Sequence, residues 1–365
     1  MTFDSFSCHG VQKEGEELPT IRANPWRGTG LNVDVPDPIS EGDAVAHLLS
    51  LCPAHQPTKL LKAPALATRA GVAELYIKDE RARMGLGSFK ALGAAHAIAR
   101  EAAAASKGTD WSHRLTDRTY VTASAGNHGL SVAAGARVFG ARAVIYLAAS
   151  VPDAFADRLR SAGAKVVRAG DTYEESMAAA EEAAKIEVWT LLSDSSWPGY
   201  TESPLRVMEG YLQLASEIVS QMEDAPTHIL LQAGVGGLAC AVAAHARAVW
   251  GDFPQILVVE PAAAPALFES VQAGKPVTTS GPVSSMGRLD CKTPSLIALK
   301  GLSRDADLFI TITEDEARQA VSLRGTLLLA TTPSGGAGLA AVLSGLAFGE
   351  DARVLTILSE GPEDG

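Results

Sequence analysis

Ile229-Leu230-Leu231-Gln232-Ala233-Gly234-Val235-Gly236-Gly237-Leu238-Ala239 is the stretch that decides the fold. A short apolar run enters a three-glycine turn, and a helix opens directly behind it. Strand, tight turn and helix in that order form the building unit of an α/β sheet with parallel strands. Backbone N–H groups at such a helix start can cradle a phosphate. Gly234-x-Gly236-x-x-Ala239 also satisfies the dinucleotide fingerprint, and Glu260 ends the next strand about 20 residues on, where a ribose-binding acid belongs. The turn alone therefore serves a single phosphate, a nicotinamide dinucleotide, or only close strand–helix packing.

The same alternation runs outward along the chain. Apolar, β-rich runs occur at Leu75–Ile77, Tyr120–Thr122, Ala143–Leu147, Lys165–Val167, Val188–Leu192, Ile256–Val259, Leu308–Ile312 and Val354–Leu358, besides Ile229–Leu231. Stretches of helical composition separate most of them, including the alanine-rich Ala102–Ala105 and Ala178–Ala184. Repeated strand–helix–strand units predict doubly wound, mostly parallel sheets with right-handed crossovers. Past Glu41 a short helix is expected over Asp43 to Leu51, ended before Pro53, and residues 1–40 read as irregular because Pro19, Pro25, Pro36 and Pro38 interrupt them. A length of 365 residues suits one large or two medium domains.

Composition removes several classes of function. A net charge of −11 with no basic stripe argues against nucleic acid as partner. No apolar stretch reaches about 18 residues, so no membrane helix is expected. The N-terminus carries Asp4 and no apolar core, unlike a secretory signal. Cys8, Cys52, Cys240 and Cys291 form no metal-type pair, and His9, His47, His55, His113 and His245 show no ligand spacing, so no metal site is expected. A cytoplasmic protein with reduced thiols is the resulting expectation.

Five further turns carry candidate chemistry. Gly87-Ser88-Phe89-Lys90 precedes a helix over Ala91–Ala99. A lysine there meets the positive end of the helix dipole, which disfavours its ammonium and favours the nucleophilic amine. Tyr120–Gly129 runs from a strand through Ser124-Ala125-Gly126-Asn127-His128 into a helix: an anion-binding turn, or simply an N-cap. His128 reads more readily as a helix-start residue bonded to backbone than as a base. Asp194 follows a strand beside Trp197, whose bulk is expected to exclude water and raise the carboxyl's pKa; a turn aspartate bonded to its own backbone is the plainer alternative. Ser359 closes the last strand, and Thr332-Pro333-Ser334-Gly335-Gly336 is either another anion nest or a loop.

Taken together and in order, Ser88-Phe89-Lys90, Ser124–His128, Gly234-Val235-Gly236-Gly237 and Ser359 resemble the fold type II pyridoxal-phosphate enzymes, the serine/threonine dehydratase and cysteine synthase group. More narrowly, Lys78-Asp79-Glu80, Phe89–Gly93, Asp194–Thr201, Met208-Glu209-Gly210-Tyr211 and Ser359-Glu360-Gly361 are similar to the diaminopropionate ammonia-lyase branch. Leu92, where ordinary dehydratases usually carry arginine, sides with that branch. The resemblance implies a tryptophan synthase β-like α/β fold of two doubly wound, mostly parallel sheet domains. It assigns 1–84 with 196–365 to a large cofactor domain and 85–195 to a small one.

It also implies pyridoxal 5'-phosphate as cofactor, a small amino acid as substrate, and a homodimer. Lys90 holds the cofactor covalently and acts in proton transfer. Gly234, Val235, Gly236, Gly237 and Leu238 take the phosphate, Asn127 the ring hydroxyl and Ser359 the pyridine nitrogen, and Phe89 flanks the ring. Ser124, Ala125, Gly126, Asn127 and His128 receive the substrate carboxylate, and Asp194 matches an acid used on the L-substrate. Members of the branch that accept both enantiomers carry aspartate where this chain has Ala125, and Ser285–Pro294 replaces a loop that helps define the side-chain pocket. The implied reaction is α,β-elimination on L-2,3-diaminopropionate, giving pyruvate and ammonia. A β-hydroxy amino acid dehydratase is the alternative, and a nicotinamide-dependent dehydrogenase using the Gly234 turn is the rival from another class.

Overall fold

The computed structural model describes residues 19–52, 54–105, 110–322 and 329–362; Asp4, Cys8, His9 and Pro53 lie outside them. In chain order the elements begin β1 (Thr20–Ala23), α1 (Asp43–Ser50), β2 (Leu60–Lys62), α2 (Pro64–Ala70), β3 (Glu74–Asp79) and α3 (Lys90–Ala104). There follow β4 (Thr119–Ala123), α4 (Asn127–Val138), β5 (Arg142–Leu147), α5 (Asp153–Ser161), β6 (Lys165–Arg168), α6 (Tyr173–Ile186) and β7 (Thr190–Leu191). Next come α7 (Glu202–Gly210), α8 (Leu212–Gln221), β8 (His228–Gln232), α9 (Gly237–Trp250), β9 (Gln255–Pro261) and α10 (Ala266–Ala273). The chain ends on α11 (Leu296–Asp305), β10 (Leu308–Ile312), α12 (Glu314–Ser322), α13 (Ala337–Leu343) and β11 (Arg353–Leu358).

The chain divides into two compact units. Among the described residues, one holds those up to Pro38, Pro57–Ala82 and those from Leu214 onward; the other holds those of Ile39–Gln56 and Arg83–Gln213. The first is built on a seven-stranded sheet in the order β1-β10-β9-β8-β11-β3-β2. Its inner pairings are parallel, while β1 on β10 and β2 on β3 are antiparallel edges. Leu230, Leu257, Val259, Ile310 and Val354 are buried in its core. Each such side chain stabilises the fold by about 1.5–3 kcal/mol relative to exposure.

The second unit has a four-stranded parallel sheet, β6-β5-β4-β7. All five residues of β4 are buried, as befits a strand covered on both faces. Val121, Ala123 and Val144 pack there with Ala180 of α6. Thr172 and Glu175 close a reciprocal capping box that starts α6, each satisfying one helix-end N–H.

Two expectations about strands are amended. Residues 1–40 are not wholly irregular, because Thr20–Ala23 between Pro19 and Pro25 pairs with β10 as an edge, where a flanking proline breaks no ladder. The run Val188–Leu192 yields only Thr190–Leu191. Val188 takes a left-handed φ of 55° just past the end of α6, the conformation that terminates helices.

Candidate active site

Lys90 is the first residue of α3, its backbone N–H bonded to the Ser88 hydroxyl at 3.3 Å. Its ammonium pairs with the Asp194 carboxylate, although 104 residues separate them in sequence. The two side chains are 22% and 18% exposed, which leaves the amine reachable from solvent. Phe89 lies alongside, with Lys90 Nζ 5.2 Å from its ring centre. A carboxylate at this point offsets the unfavourable meeting of an ammonium with a helix N-terminus.

The turn that carries Asp194 is fastened from below. Tyr200 donates its hydroxyl to the Leu191 carbonyl at 2.8 Å and accepts from the Ser193 N–H at 3.0 Å. Trp197 stacks on Tyr200, with centroids 4.3 Å apart. Contrary to the upward shift expected from Trp197, the Asp194 carboxyl is held well below the usual range: burial opposes ionisation, but the Lys90 charge and the hydrogen bond from Lys90 outweigh it. A local reading could not include a partner so distant in sequence.

His128 lies in the first turn of α4 and is buried, which lowers its pKa and keeps the ring neutral. Nε2 stands 2.8 Å from the Leu192 carbonyl, so Nε2 carries the proton and Nδ1 is an acceptor. Asn127 is buried at the same helix start, preceded by half-buried Ser124, Ala125 and Gly126, and Gly126 supplies no side-chain cap. Lys90, Phe89, Asp194 and His128 are thus neighbours within one unit, and Ser124–Asn127 leads into the helix that bears His128.

The remaining predicted residues belong to the other unit. Gly234–Leu238 joins β8 to α9. Gly236, the N-cap, has a left-handed φ of 99° and no side chain to cap the helix, so the first N–H groups of α9 have no intrahelical acceptor. Ser359 is buried directly after β11, its N–H bonded to the Gly335 carbonyl at 3.1 Å. β8 and β11 are neighbours in the sheet, so both turns lie at adjacent carboxyl ends, where ligands bind α/β folds.

The rival reading fails on Glu260. Its two carboxylate oxygens accept the N–H groups of Leu267 and Phe268 at 2.8 and 2.7 Å, at the start of α10. Burial pushes its pKa up to about 8 against the pull of those two donors. The acid that the dinucleotide fingerprint assigns to a ribose is a buried helix cap.

Several contacts at the site were not legible in the sequence. Cys291, in the Ser285–Pro294 loop, backs onto Gly234 so closely that a Cβ there would stand 2.9 Å from its sulfur. Arg288 Nε sits 2.8 Å from Glu360 Oε2, beside Ser359. A cavity of about 210 Å³ opens there, lined by Arg288, Ser285, Thr331, Thr332 and Ser334. Tyr211, which the Met208–Tyr211 motif contained without a role, meets Phe89 edge to face at 4.9 Å. Among the described residues, no group of three or more His, Cys, Asp or Glu could hold a metal ion, and no helix is long and apolar enough to cross a membrane.

The family model described as pyridoxal-phosphate dependent enzyme matches residues 51–360. The diaminopropionate ammonia-lyase of Salmonella typhimurium is 32% identical over 279 residues, 71% of this chain and 69% of that protein. The enzyme of the same description from Escherichia coli K12 is 31% identical over 85% of each chain. A serine dehydratase-like protein of Mus musculus is 29% identical over 83% of this chain and 86% of its own length. The crystal structure of Escherichia coli diaminopropionate ammonia lyase in complex with an aminoacrylate-PLP azomethine reaction intermediate superposes with a TM-score of 0.83 at 28% identity, covering 94% of each chain.

Proposed function

The chain belongs to the pyridoxal-phosphate dependent enzyme family, and from that premise we propose that it eliminates ammonia from L-2,3-diaminopropionate to give pyruvate. The residues suit the family's cofactor. It needs an amine for its aldehyde, N–H donors for its phosphate and a hydroxyl for its ring nitrogen; Lys90, the uncapped start of α9 and Ser359 are groups of those kinds. Bound pyridoxal phosphate withdraws electrons from the substrate Cα and so acidifies its proton.

The proposed roles follow from the resemblance and the local chemistry. Lys90 carries the cofactor, Gly234–Leu238 takes its phosphate, Asn127 its ring hydroxyl and Ser359 its ring nitrogen, with Phe89 against the ring. Ser124–His128 receives the substrate carboxylate. Asp194 accepts the Cα proton of the L-substrate. Lys90 moves protons once its amine is released. The same reading carries a cytoplasmic homodimer, to be checked by cell fractionation and light scattering.

The observation that carries this proposal is the Lys90–Asp194 pair: one acid stands on the lysine, and position 125 supplies no second one. Ala125 also favours a second reading, dehydration of a β-hydroxy amino acid, and the serine dehydratase-like relative supports it. Product stoichiometry separates the two. Diaminopropionate plus one water yields pyruvate and two ammonia; serine yields pyruvate and one ammonia. We expect turnover of L-diaminopropionate and none of the D-isomer. Equal rates on both enantiomers would remove the role of Asp194, and turnover confined to serine or threonine would establish the second reading.

A further inference from the structure

Two motifs with no shared role in the sequence, Phe89–Gly93 and Met208–Tyr211, form the two sides of one contact. α3 and α7 approach so closely that a Cβ on Gly93 would stand 2.7 Å from Tyr211 Cε1 and 2.8 Å from the Val207 carbonyl oxygen. Tyr211 is 1% exposed, its ring is held edge to face against Phe89, and Lys90 Nζ lies 5.8 Å from its centre. Its hydroxyl is buried beside the Lys90 side chain, and its proton has no acceptor among the described residues. Such a group is costly, because water would have satisfied it.

An ammonium offers only donors, so the charged Lys90 can bond the phenol oxygen but cannot accept its proton. A neutral amine can. We propose that Tyr211 is a positioning residue for Lys90: its O–H donates to the amine lone pair once Lys90 has released a proton to solvent, and so favours the nucleophilic form. The inference rests on the reading of Lys90 as the cofactor lysine. The other groups facing the pair are Asp194, which favours the ammonium, and neutral His128 from α4. Farther along the α3–α7 contact lie His96 and Glu209, 3.1 Å apart, with Arg100 and Arg206 on the same carboxylate. Burial keeps the phenol protonated, hence a donor, although the Lys90 charge pulls the other way.

Tyr211→Phe keeps the ring and its packing while removing the proton. The full chain, freed of cofactor, is labelled with acetic anhydride across a pH series, and Lys90 is followed by peptide mass spectrometry against exposed Lys59. We expect the Lys90 midpoint to rise by about one pH unit, which is roughly tenfold slower labelling at a fixed pH below it. The melting temperature should barely move. An unchanged or lower midpoint overturns the proposal. If the variant misfolds, with buried Lys78 labelling as fast as Lys59, the wild type decides. A tyrosine absorbance change should then titrate with the Lys90 midpoint and vanish in Lys90→Met; its absence also overturns the proposal. Should the midpoint move but borohydride fail to fix the cofactor on Lys90, the effect of Tyr211 on the amine stands and the cofactor assignment falls.

Discussion

Lys78 and Lys90 are both held by a carboxylate, yet the two pairs do opposite things. Lys78 lies in β3 with no exposure, and Nζ donates to the Thr58 carbonyl at 2.9 Å, Glu217 Oε2 at 2.7 Å and Gln221 Oε1 at 3.0 Å. Three N–H groups meet three oxygens, which offsets the cost of burying a charge and leaves no route for a reagent. Lys90 stands at a helix N-terminus, partly open to solvent, with aromatic faces as neighbours and the Asp194 carboxylate paired with its ammonium. A lysine–carboxylate pair is therefore structural or reactive according to burial and access, and the ion pair itself says little.

The largest effect that can break this comparison is on chemistry. Lys90→Ala should lower kcat at least about 10³-fold and abolish the cofactor's visible band, with the unfolding midpoint nearly unchanged. Lys78→Ala should leave the band intact in whatever protein folds. Next, Asp194→Asn should cost about 10²–10⁴ in kcat on the L-substrate while the band persists, as read by steady-state kinetics and absorbance.

Stability should respond in the reverse order. Lys78→Met strands the buried Glu217 charge and is expected to cost about 3–5 kcal/mol in urea unfolding, much of it recovered in Lys78→Met/Glu217→Leu. A single variant with no loss would place that pair among the inert contacts. The smallest effect concerns His228, which burial keeps neutral by pushing its pKa down to about 4. A base whose folded pKa lies below its unfolded value of about 6.5 stabilises fully above that pH. Its contribution fades as pH falls toward 4. His228→Gln should flatten that acid-side loss by about 1–2 kcal/mol, given its partial exposure.

Much of this was legible in the sequence, and the failures have physical causes. The parallel strands announced themselves because continuous apolar runs are what a doubly covered sheet requires, as in β4. β1 and β2 are short antiparallel edges, too brief and too polar on one face to stand out. The glycine turn before α9 was readable, but Glu260 looked like a ribose ligand because its cap partners, Leu267 and Phe268, are ordinary residues chosen by geometry. The acidity of Asp194 was misjudged in direction, since Trp197 is adjacent in sequence and Lys90 is not. Tyr211 carried no signal of its own; only the α3–α7 contact at Gly93 gives its hydroxyl a meaning.

The most direct test is borohydride reduction of the cofactor-loaded chain, followed by proteolysis and mass spectrometry of every lysine peptide. The account predicts one pyridoxyl-phosphate mark, on the peptide carrying Lys90, and none on Lys78. A mark on Lys78 or any other lysine, or no mark at all, would contradict it.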